Sequence, residues 1–375
     1  MFGLAISNVF LGLSVLAAPF TQPLTAVPWR RWRALLWPFG LYVLGLGISV
    51  AFSYQPRLSV EALSELFSLL TLVFALVLVR GEAAVRRVVD GLVIAAALYA
   101  SFGLAQFLWD YGSLDRRIRG PFSHYMTFSG VLLVADLLLL ASLSCGGGRR
   151  AWRWFAVVLI NVALLGSLTR SAWVGLVLAL TLLLVLRAPK LLLAYVPAAV
   201  LFVALAPVPL LARVISIADL RDVSNYDRIC MARAGLDMIR ERPLFGLGPT
   251  MVEQRYPIYR QPTAPRYLVP HLHNSFLQLA AERGLVSLAS YLWLMIASLR
   301  LAWRRYRAEG CAVGPRADLY LGSIVALAAF NLAGIFEYNW GDTEVQRLAL
   351  FVLALPFCLE ASEPAPLTAE GAEPA

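Results

Sequence analysis

The sequence predicts an all-α polytopic membrane protein with about eleven transmembrane helices. The chain has 375 residues, of which 60% are hydrophobic and 15% are charged, and its mean hydropathy is +0.71. A soluble protein usually has roughly 25% charged residues. Here the apolar residues form runs of about 17 to 25 residues, separated by short basic clusters, and such runs can cross about 30 Å of hydrocarbon. These figures exclude a soluble globular domain.

Eleven apolar runs are predicted to cross the membrane. Their limits are 3–20, 34–53, 62–79, 90–109, 124–143, 153–167, 171–187, 191–211, 284–302, 318–336 and 345–360. A reversal near Gly166 separates the sixth run from the seventh, because one helix from Phe155 to Leu186 would be far longer than the hydrocarbon core. The domains that follow are spans one to eight (1–212), a large loop (213–272), spans nine to eleven (273–360) and a disordered tail (361–375).

The distribution of basic residues predicts the orientation of the spans. Most of the Lys and Arg residues in short loops follow odd-numbered spans, and the positive-inside rule places those loops in the cytoplasm. A single helix in place of spans six and seven would move the strongly basic segment from Arg300 to Arg316 to the other side. The large loop 213–272 is therefore expected on the outer face.

The large loop is predicted to contain an amphipathic helix from Asp227 to Arg242. Its apolar positions recur at helical spacing and Pro243 ends it. A second interpretation is a helix lying in the membrane interface, where its arginines would meet lipid phosphates.

Two of the three histidines, His271 and His273, lie at the end of the large loop, and His124 is expected on the same face. Neutral imidazole can accept a proton near pH 7, so the pair is a candidate for proton transfer. Asn274 and Gln278 could orient a sugar hydroxyl or the imidazole. The alternative is that these are ordinary interfacial residues.

Several arginines on the outer face point to an anion. Arg170 is expected at the rim of the hydrocarbon, where a guanidinium must face protein, water or a ligand, although it could also reach the lipid headgroups. Arg116, Arg117 and Arg119 precede the fifth span on the face that the positive-inside rule leaves poor in basic residues. The loop with Glu337 carries polar and aromatic groups that suit sugar contacts, or an interfacial belt.

Five sequence motifs are similar to those of the O-antigen ligase and polymerase family of bacterial envelope glycosyltransferases, and they follow the same order along the chain. The strongest is His273-Asn274 followed by nine residues and Gly284-Leu285-Val286. The others are Gly120 to Tyr125, Ser167 to Trp173 with Arg170, Asp227-Arg228, and Pro243 to Pro249. The resemblance covers about Arg116 to Val352.

The resemblance implies the fold and the substrates. Family members resemble GT-C-type membrane glycosyltransferases and usually have twelve spans. The implied donor is a glycan on undecaprenyl pyrophosphate, transferred at the periplasmic face of the inner membrane without a metal or another cofactor. A ligase of lipopolysaccharide biosynthesis would use lipid A-core as acceptor, and a polymerase would use a lipid-linked glycan. Membrane lipids are the other expected partners, and no nucleic acid is expected.

The resemblance also implies roles for individual residues. His273 would take the proton from the acceptor hydroxyl as this attacks the anomeric carbon, with inversion. Arginines would stabilise the pyrophosphate, because its charge grows as the bond to the sugar breaks. The candidates for pyrophosphate binding are Arg170, Arg228, Arg119, Arg116 and His271. The candidates for acceptor or sugar binding are Asn274, Gln278, His124 and Glu337.

A transporter of an anionic or lipid-linked substrate is the rival interpretation. Such transporters bind substrate near the middle of the bilayer, between structural repeats. The spans of this sequence show no internal repeat, and the candidate residues gather at one face. Both observations favour an enzyme.

Overall fold

The computed structural model describes residues 29–109, 117–146, 151–311 and 314–360. These residues form helices and connecting loops without any strand, which confirms the all-α class. The predicted first span, 3–20, and the predicted tail, 361–375, lie outside the described residues.

Thirteen helices are labelled in chain order within the described residues. They are α1 (Arg33–Ala51), α2 (Glu65–Leu78), α3 (Glu82–Trp109), α4 (Tyr125–Ser144), α5 (Ala151–Gly166), α6 (Arg170–Arg187), α7 (Leu192–Leu205), α8 (Val208–Ile215), α9 (Val223–Glu241), α10 (Met251–Tyr259), α11 (Ser275–Ala308), α12 (Ala317–Gly334) and α13 (Thr343–Glu360). Short helical turns at Pro56–Ser59, Val60–Ser64, Pro189–Leu191 and Asn339–Gly341 complete them.

Seven helical stretches of the described residues are long and apolar enough to cross a membrane. They correspond to α1, Pro56–Leu78 with α2, α3, α4, α6, α11 and α12. Each predicted span from the second to the eleventh falls on a helix. A polytopic helical membrane protein is therefore confirmed, while the number of eleven crossings stays a prediction.

Helices α4 and α12 form the centre of the bundle, and most of their side chains are buried. Helix α12 packs against α4, α6 and α11, while α1 packs against α11 and α2 against α13. Small residues bring these helices together: a Cβ atom on Gly130 would lie 2.9 Å from Val345, and one on Gly322 would lie 3.1 Å from Leu138. Close backbone approach of this kind drives helix association in lipid, where apolar burial gives little.

The large loop folds against one end of the bundle, which we call the loop face. Helices α9 and α10 share a small core of their own, which includes Met231, Met238, Met251 and Leu272. The amphipathic helix begins at Val223, earlier than the predicted Asp227. The physical reason is the N-cap, because the Asp222 side chain accepts the N–H of Asn225.

The predicted eighth span, 191–211, is divided into two helices. Helix α7 ends at Leu205, Ala206 is extended, and Pro207 precedes α8. A residue before proline is disfavoured in the helical region, and the ring of proline removes a backbone donor. The chain therefore turns at this point, and α8 packs through Leu210 against Leu168 and Trp173.

Helix α11 begins at Ser275, before the predicted membrane span 284–302, and is interrupted at Gly284. Gly284 has φ of +77°, and the N–H of Leu285 donates to the carbonyl of Pro243 at 2.7 Å. The interruption leaves two helical carbonyls free for other partners. The carbonyls of Ala281 and Glu282 accept the N–H groups of Leu247 and Gly248, each at 2.9 Å.

This docking explains the spacing from Asn274 to Gly284. Asn274 caps the helix, since its side chain accepts the N–H groups of Phe276 and Leu277. At the other end, a Cβ atom on Gly284 would lie 2.0 Å from the carbonyl oxygen of Leu244. Only glycine combines this φ with such close contact. The spacing thus fixes the large loop to the first part of α11 and places His273 directly before the cap.

Candidate active site

A histidine and a carboxylate form the centre of the loop face. His273 lies at the end of the large loop, and Glu337 lies between α12 and α13. Nδ1 of His273 is 3.1 Å from both carboxylate oxygens of Glu337, and their side chains are only 12% and 8% exposed. His273 has φ of +48°, a left-handed conformation that non-glycine residues seldom adopt. Such strain often accompanies functional positions.

The ionisation state of Glu337 determines which ring nitrogen of His273 carries the proton. Burial raises the pKa of Glu337, but the hydrogen bond and charge interaction with His273 outweigh it, so this pKa lies below its ordinary value of 4.5. Glu337 is therefore ionised at neutral pH and accepts a proton-bearing Nδ1. The other ring nitrogen, Nε2, is then free to accept a proton. This is the arrangement in which a carboxylate orients a histidine base.

His271 supports the position of His273. Its Nδ1 accepts the backbone N–H of His273 at 3.3 Å, and the two ring centroids are 4.3 Å apart. Burial lowers the pKa of His271 to about 4, so this ring is neutral at neutral pH. A neutral His271 ring can orient His273, but it offers no positive charge to a phosphate.

His124 caps α4 on the same face. Its Nδ1 accepts the N–H of Met126 at 3.2 Å, and its ring centroid is 4.2 Å from that of Tyr125. Burial lowers the pKa of His124, and although the charge of Glu337 raises it and that of Arg117 lowers it, the pKa lies below its ordinary value. All three histidines of the chain therefore meet at one end of the bundle.

Two arginines predicted from the sequence lie beside His273. Arg170 begins α6, and its Nη1 donates to the carbonyl of Ser216 at 2.9 Å while its Nη2 donates to Asp222 at 3.1 Å. Arg228 lies on α9 and donates from Nε to the carbonyl of Phe336 at 3.2 Å. Burial lowers the pKa of Arg228, and the nearby charge of Arg170 contributes. The two guanidinium groups thus share one positive region.

Arg117 joins this region, although only its neighbours Arg116 and Arg119 are among the residues predicted from the sequence to bind pyrophosphate. Its guanidinium carbon lies 4.3 Å from the centre of the Tyr125 ring. Burial lowers the pKa of Arg117, as do the charges of Arg213, Arg170 and Arg228. Its predicted neighbour Arg119 lines none of the cavities of the loop face, and its N–H donates to Gln106. Arg116 lies outside the described residues.

Two connected cavities lie around His273. The lateral cavity, of about 350 Å³, is lined by the three arginines and by apolar side chains of α6, α9 and the segment after α8. The central cavity, of about 540 Å³, contains the three histidines, Glu337, Arg228 and Arg266. The residues that line both cavities are Tyr125, Met126, Ser224, Arg228 and His273. His273 thus stands at the junction.

Two predicted sugar-binding residues mainly hold the backbone. The amide nitrogen of Asn274 donates to the carbonyl of Ile335 at 2.9 Å, while its oxygen caps α11. Gln278 is 2% exposed, and its side-chain oxygen accepts the N–H of Leu272 at 2.8 Å. Gln278 lines neither of the two cavities around His273. Both residues therefore orient the segment that carries His271 and His273.

The structure also identifies which described residues have donor atoms close enough for a metal ion. Those of His271, His273 and Glu337 all lie within 4.8 Å of one another. In this structure both Nδ1 atoms already take part in hydrogen bonds, one to the His273 N–H and one to Glu337. We therefore describe the three residues as a hydrogen-bonded network.

The fold and the site define a class of protein: a polytopic helical membrane protein with a histidine–carboxylate pair and an arginine cluster at one face. The family model for O-antigen ligase matches residues 155–292. The match extends from α5 into α11 and includes Arg170, Arg228, His271 and His273, whereas Glu337 lies beyond it. The predicted resemblance to the O-antigen ligase and polymerase family is thereby confirmed, and with it an enzymatic role of this general type. A comparison with curated proteins finds no match.

Proposed function

We propose that the protein transfers a glycan from undecaprenyl pyrophosphate to lipid A-core, or to a related acceptor, at the periplasmic face of the inner membrane. The observation that carries this proposal is His273, held by Glu337 at the junction of the lateral and central cavities. One cavity combines apolar walls with arginines, and the other is polar. This combination suits a reaction between a lipid-linked donor and a hydrophilic acceptor.

The lateral cavity is the proposed donor site. Leu168, Val174 and Ile217 contribute apolar walls suited to the start of a polyprenyl chain. Arg117, Arg170 and Arg228 line the same cavity and bind the pyrophosphate, because guanidinium groups form strong charge-assisted hydrogen bonds with phosphate oxygens. No carboxylate is among the described residues that line this cavity.

The proposed reaction is a direct displacement. Nε2 of His273 takes the proton of the acceptor hydroxyl, and the hydroxyl oxygen forms a bond to the anomeric carbon of the donor glycan. The bond from that carbon to the pyrophosphate oxygen breaks, and the electron pair remains on undecaprenyl pyrophosphate. The arginines stabilise this charge without a metal or another cofactor. Attack from the opposite side inverts the anomeric carbon.

Asp222 has a defined place in this proposal. Its carboxylate pairs with Arg170, one of the arginines proposed to bind the pyrophosphate. The pair is partly solvent-accessible, with side-chain exposures of 13% for Arg170 and 27% for Asp222. An incoming pyrophosphate therefore replaces Asp222 as the partner of Arg170.

A polymerase that uses the same donor is the alternative, since the donor site and base would be shared. A transporter is favoured less, because transport does not require a base oriented by a carboxylate at a bundle end. Deletion of the gene separates the two enzymatic functions. Loss of all capped core in a lipopolysaccharide gel indicates a ligase, whereas core that carries single repeat units indicates a polymerase.

The direct test is transfer by the purified full-length protein in liposomes that contain EDTA. Labelled glycan on undecaprenyl pyrophosphate and lipid A-core are supplied, and labelled product is measured. We expect His273→Ala to lower the rate by about 10²–10⁴-fold, since a general base contributes about this much. Arg228→Ala should also lose activity, whereas the matched control Arg233→Ala, on an exposed position of the same helix, should not. Wild-type rates in correctly inserted His273→Ala and Arg228→Ala proteins would refute the proposal.

A further inference from the structure

A third cavity shares part of its wall with the central cavity and none with the lateral cavity. We call it the acidic cavity, and its volume is about 420 Å³. Its wall is built from five separate parts of the chain: the segment that leads into α2, the start of α10, the end of the large loop at Pro270, the first part of α11 and the segment that leads into α13. The charged residues in this wall are Glu61, Glu65, Glu253, Glu282 and Arg283.

The acidic cavity continues from the proposed reaction centre. Pro270, Tyr338 and Gly341 line both the central and the acidic cavity. The central cavity in turn shares His273 and Arg228 with the lateral cavity. The three cavities therefore follow one another along the loop face, with His273 between the first and the second.

The sign of the charge reverses along this row. The lateral cavity is lined by three arginines and, among the described residues, by no carboxylate. The acidic cavity is lined by four glutamates and one arginine. A substrate that extends along the row therefore meets positive groups at one end and negative groups at the other.

The carboxylates of the acidic cavity differ in their availability. Glu65 forms an ion pair with Arg283, and Glu282 accepts the N–H of Val252 at 3.2 Å. Glu61 and Glu253 are exposed and form no ion pair with any described residue. Arg283 is 4% exposed, and its Nε has no hydrogen-bond partner within the described part of the chain. Polar groups thus remain available in a cavity next to the base.

We propose that the acidic cavity binds the receiving sugars of the acceptor and selects sugars that carry hydroxyl or amino groups but no phosphate or carboxylate. Carboxylates accept hydrogen bonds from hydroxyl and ammonium groups, and repel an anion held against them. The ring of Tyr338, shared by the two cavities, provides a surface for a sugar face. This inference rests on the proposed function, because it assigns the acceptor site of the same reaction.

Equilibrium binding tests the inference without any turnover. The full-length protein in nanodiscs is titrated by calorimetry, at physiological ionic strength, with three probes of equal length: maltotriose, a trisaccharide of glucosamine, and maltotriose 6-phosphate. The phosphorylated probe should bind about tenfold or more weakly than the glucosamine probe, since like charges at close range are strongly unfavourable. Maltotriose should lie between them.

Two variants locate the binding. Glu61→Gln with Glu253→Gln should weaken binding of the glucosamine probe about fivefold or more and should reduce the discrimination against phosphate. Asp237→Asn is the matched control, because it removes one negative charge from α9 at a position that lines none of the three cavities. Binding of the glucosamine probe should be the same in this control as in the wild type.

Equal binding of the three probes, tighter binding of the phosphorylated probe, or an unchanged double variant would overturn the inference. Failure of the proposed function gives a different result. In that case no labelled glycan would be transferred to any acceptor, whatever the binding of the trisaccharides. The two experiments therefore fail independently.

Discussion

Two arginines of the loop face, Arg283 and Arg170, are both paired with carboxylates but in different environments. Arg283 is 4% exposed and holds Glu65 through two of its nitrogens, in a network that also includes Tyr42 and Gln346. Arg170 contacts Asp222 through one nitrogen at the edge of the lateral cavity.

The different environments of the two ion pairs indicate that Arg283 has a structural role and Arg170 a functional one. Arg283 lines the acidic cavity, but both of its Nη atoms are held by Glu65 on α2 and Tyr42 on α1, and only its Nε has no partner within the described residues. Arg170 faces a cavity, and its partner lies on the loop before α9. We infer that the first pair joins helices and that the second pair can exchange its carboxylate for a substrate anion.

The largest effect should come from Arg283→Ala. Breaking a buried ion pair leaves an uncompensated charge and costs about 3–5 kcal/mol in the free energy of unfolding. We expect poor insertion or a strongly lowered Tm in detergent. The double variant Arg283→Met with Glu65→Gln should recover part of the loss, because neither charge then remains. An unchanged Tm for Arg283→Ala would show that the pair does not join the helices.

Arg170→Ala should give the opposite pattern. Removal of one donor that stabilises developing negative charge typically lowers kcat by about 10²–10³-fold. The Tm should change little, because partly exposed ion pairs contribute about 0–1 kcal/mol. Transfer of labelled glycan and thermal unfolding of the same preparation check both statements. A large loss of Tm with normal transfer would reverse the assignment of the two arginines.

Asp222→Asn should have a smaller effect than Arg170→Ala, and it should strengthen donor binding instead of weakening the reaction. Asparagine keeps the N-cap of α9 but removes the charge that competes for Arg170. We expect the KM for the lipid-linked donor to fall by about tenfold or less, since a partly exposed ion pair contributes about 0–1 kcal/mol. A raised KM would mean that Asp222 assists the donor and does not compete with it.

The smallest effect is on the pH dependence of stability. It arises from the histidines of the site and not from the Arg283–Glu65 pair. The pKa of His271 falls from its ordinary 6.5 to about 4 because the ring is buried. Between these values the unfolded chain binds more protons than the folded one, so stability falls as the pH decreases. His271→Asn should remove this contribution and flatten the decrease of Tm between about pH 6.5 and pH 5.

His124 and Glu337 also contribute to the pH dependence of stability, so the wild type and the variant must be compared over the same pH range. His124 contributes in the same direction, since its pKa is also lowered. Glu337, with a pKa below 4.5, loses its contribution only at lower pH. Both remain in the variant, so the difference between the two slopes isolates His271. Equal slopes for wild type and variant would contradict the buried, neutral state of this ring.

The sequence alone determined the helices, because membrane span length and apolar character are local properties. All ten predicted spans within the described residues fall on helices. It also made Arg170 a candidate, since a guanidinium at the rim of the hydrocarbon is costly unless it has a partner or a function. His273 and Arg228 became candidates for their roles through the motifs shared with the family. The predicted span 284–302 leaves out the first part of α11, because the polar segment from Ser275 to Arg283 has no apolar run.

Tertiary structure decided which of these groups meet. The contact between His273 and Glu337 joins segments on either side of α11 and α12, and no spacing in the sequence specifies it. The choice of Arg117 over Arg119 depends on how the segment before α4 packs against Tyr125. The acidic cavity combines Glu61 with Glu253 only because the loop that is docked at Gly284 brings α10 over the bundle. Helical periodicity reports which side of a helix is apolar, whereas the meeting of distant loops depends on packing that periodicity does not encode.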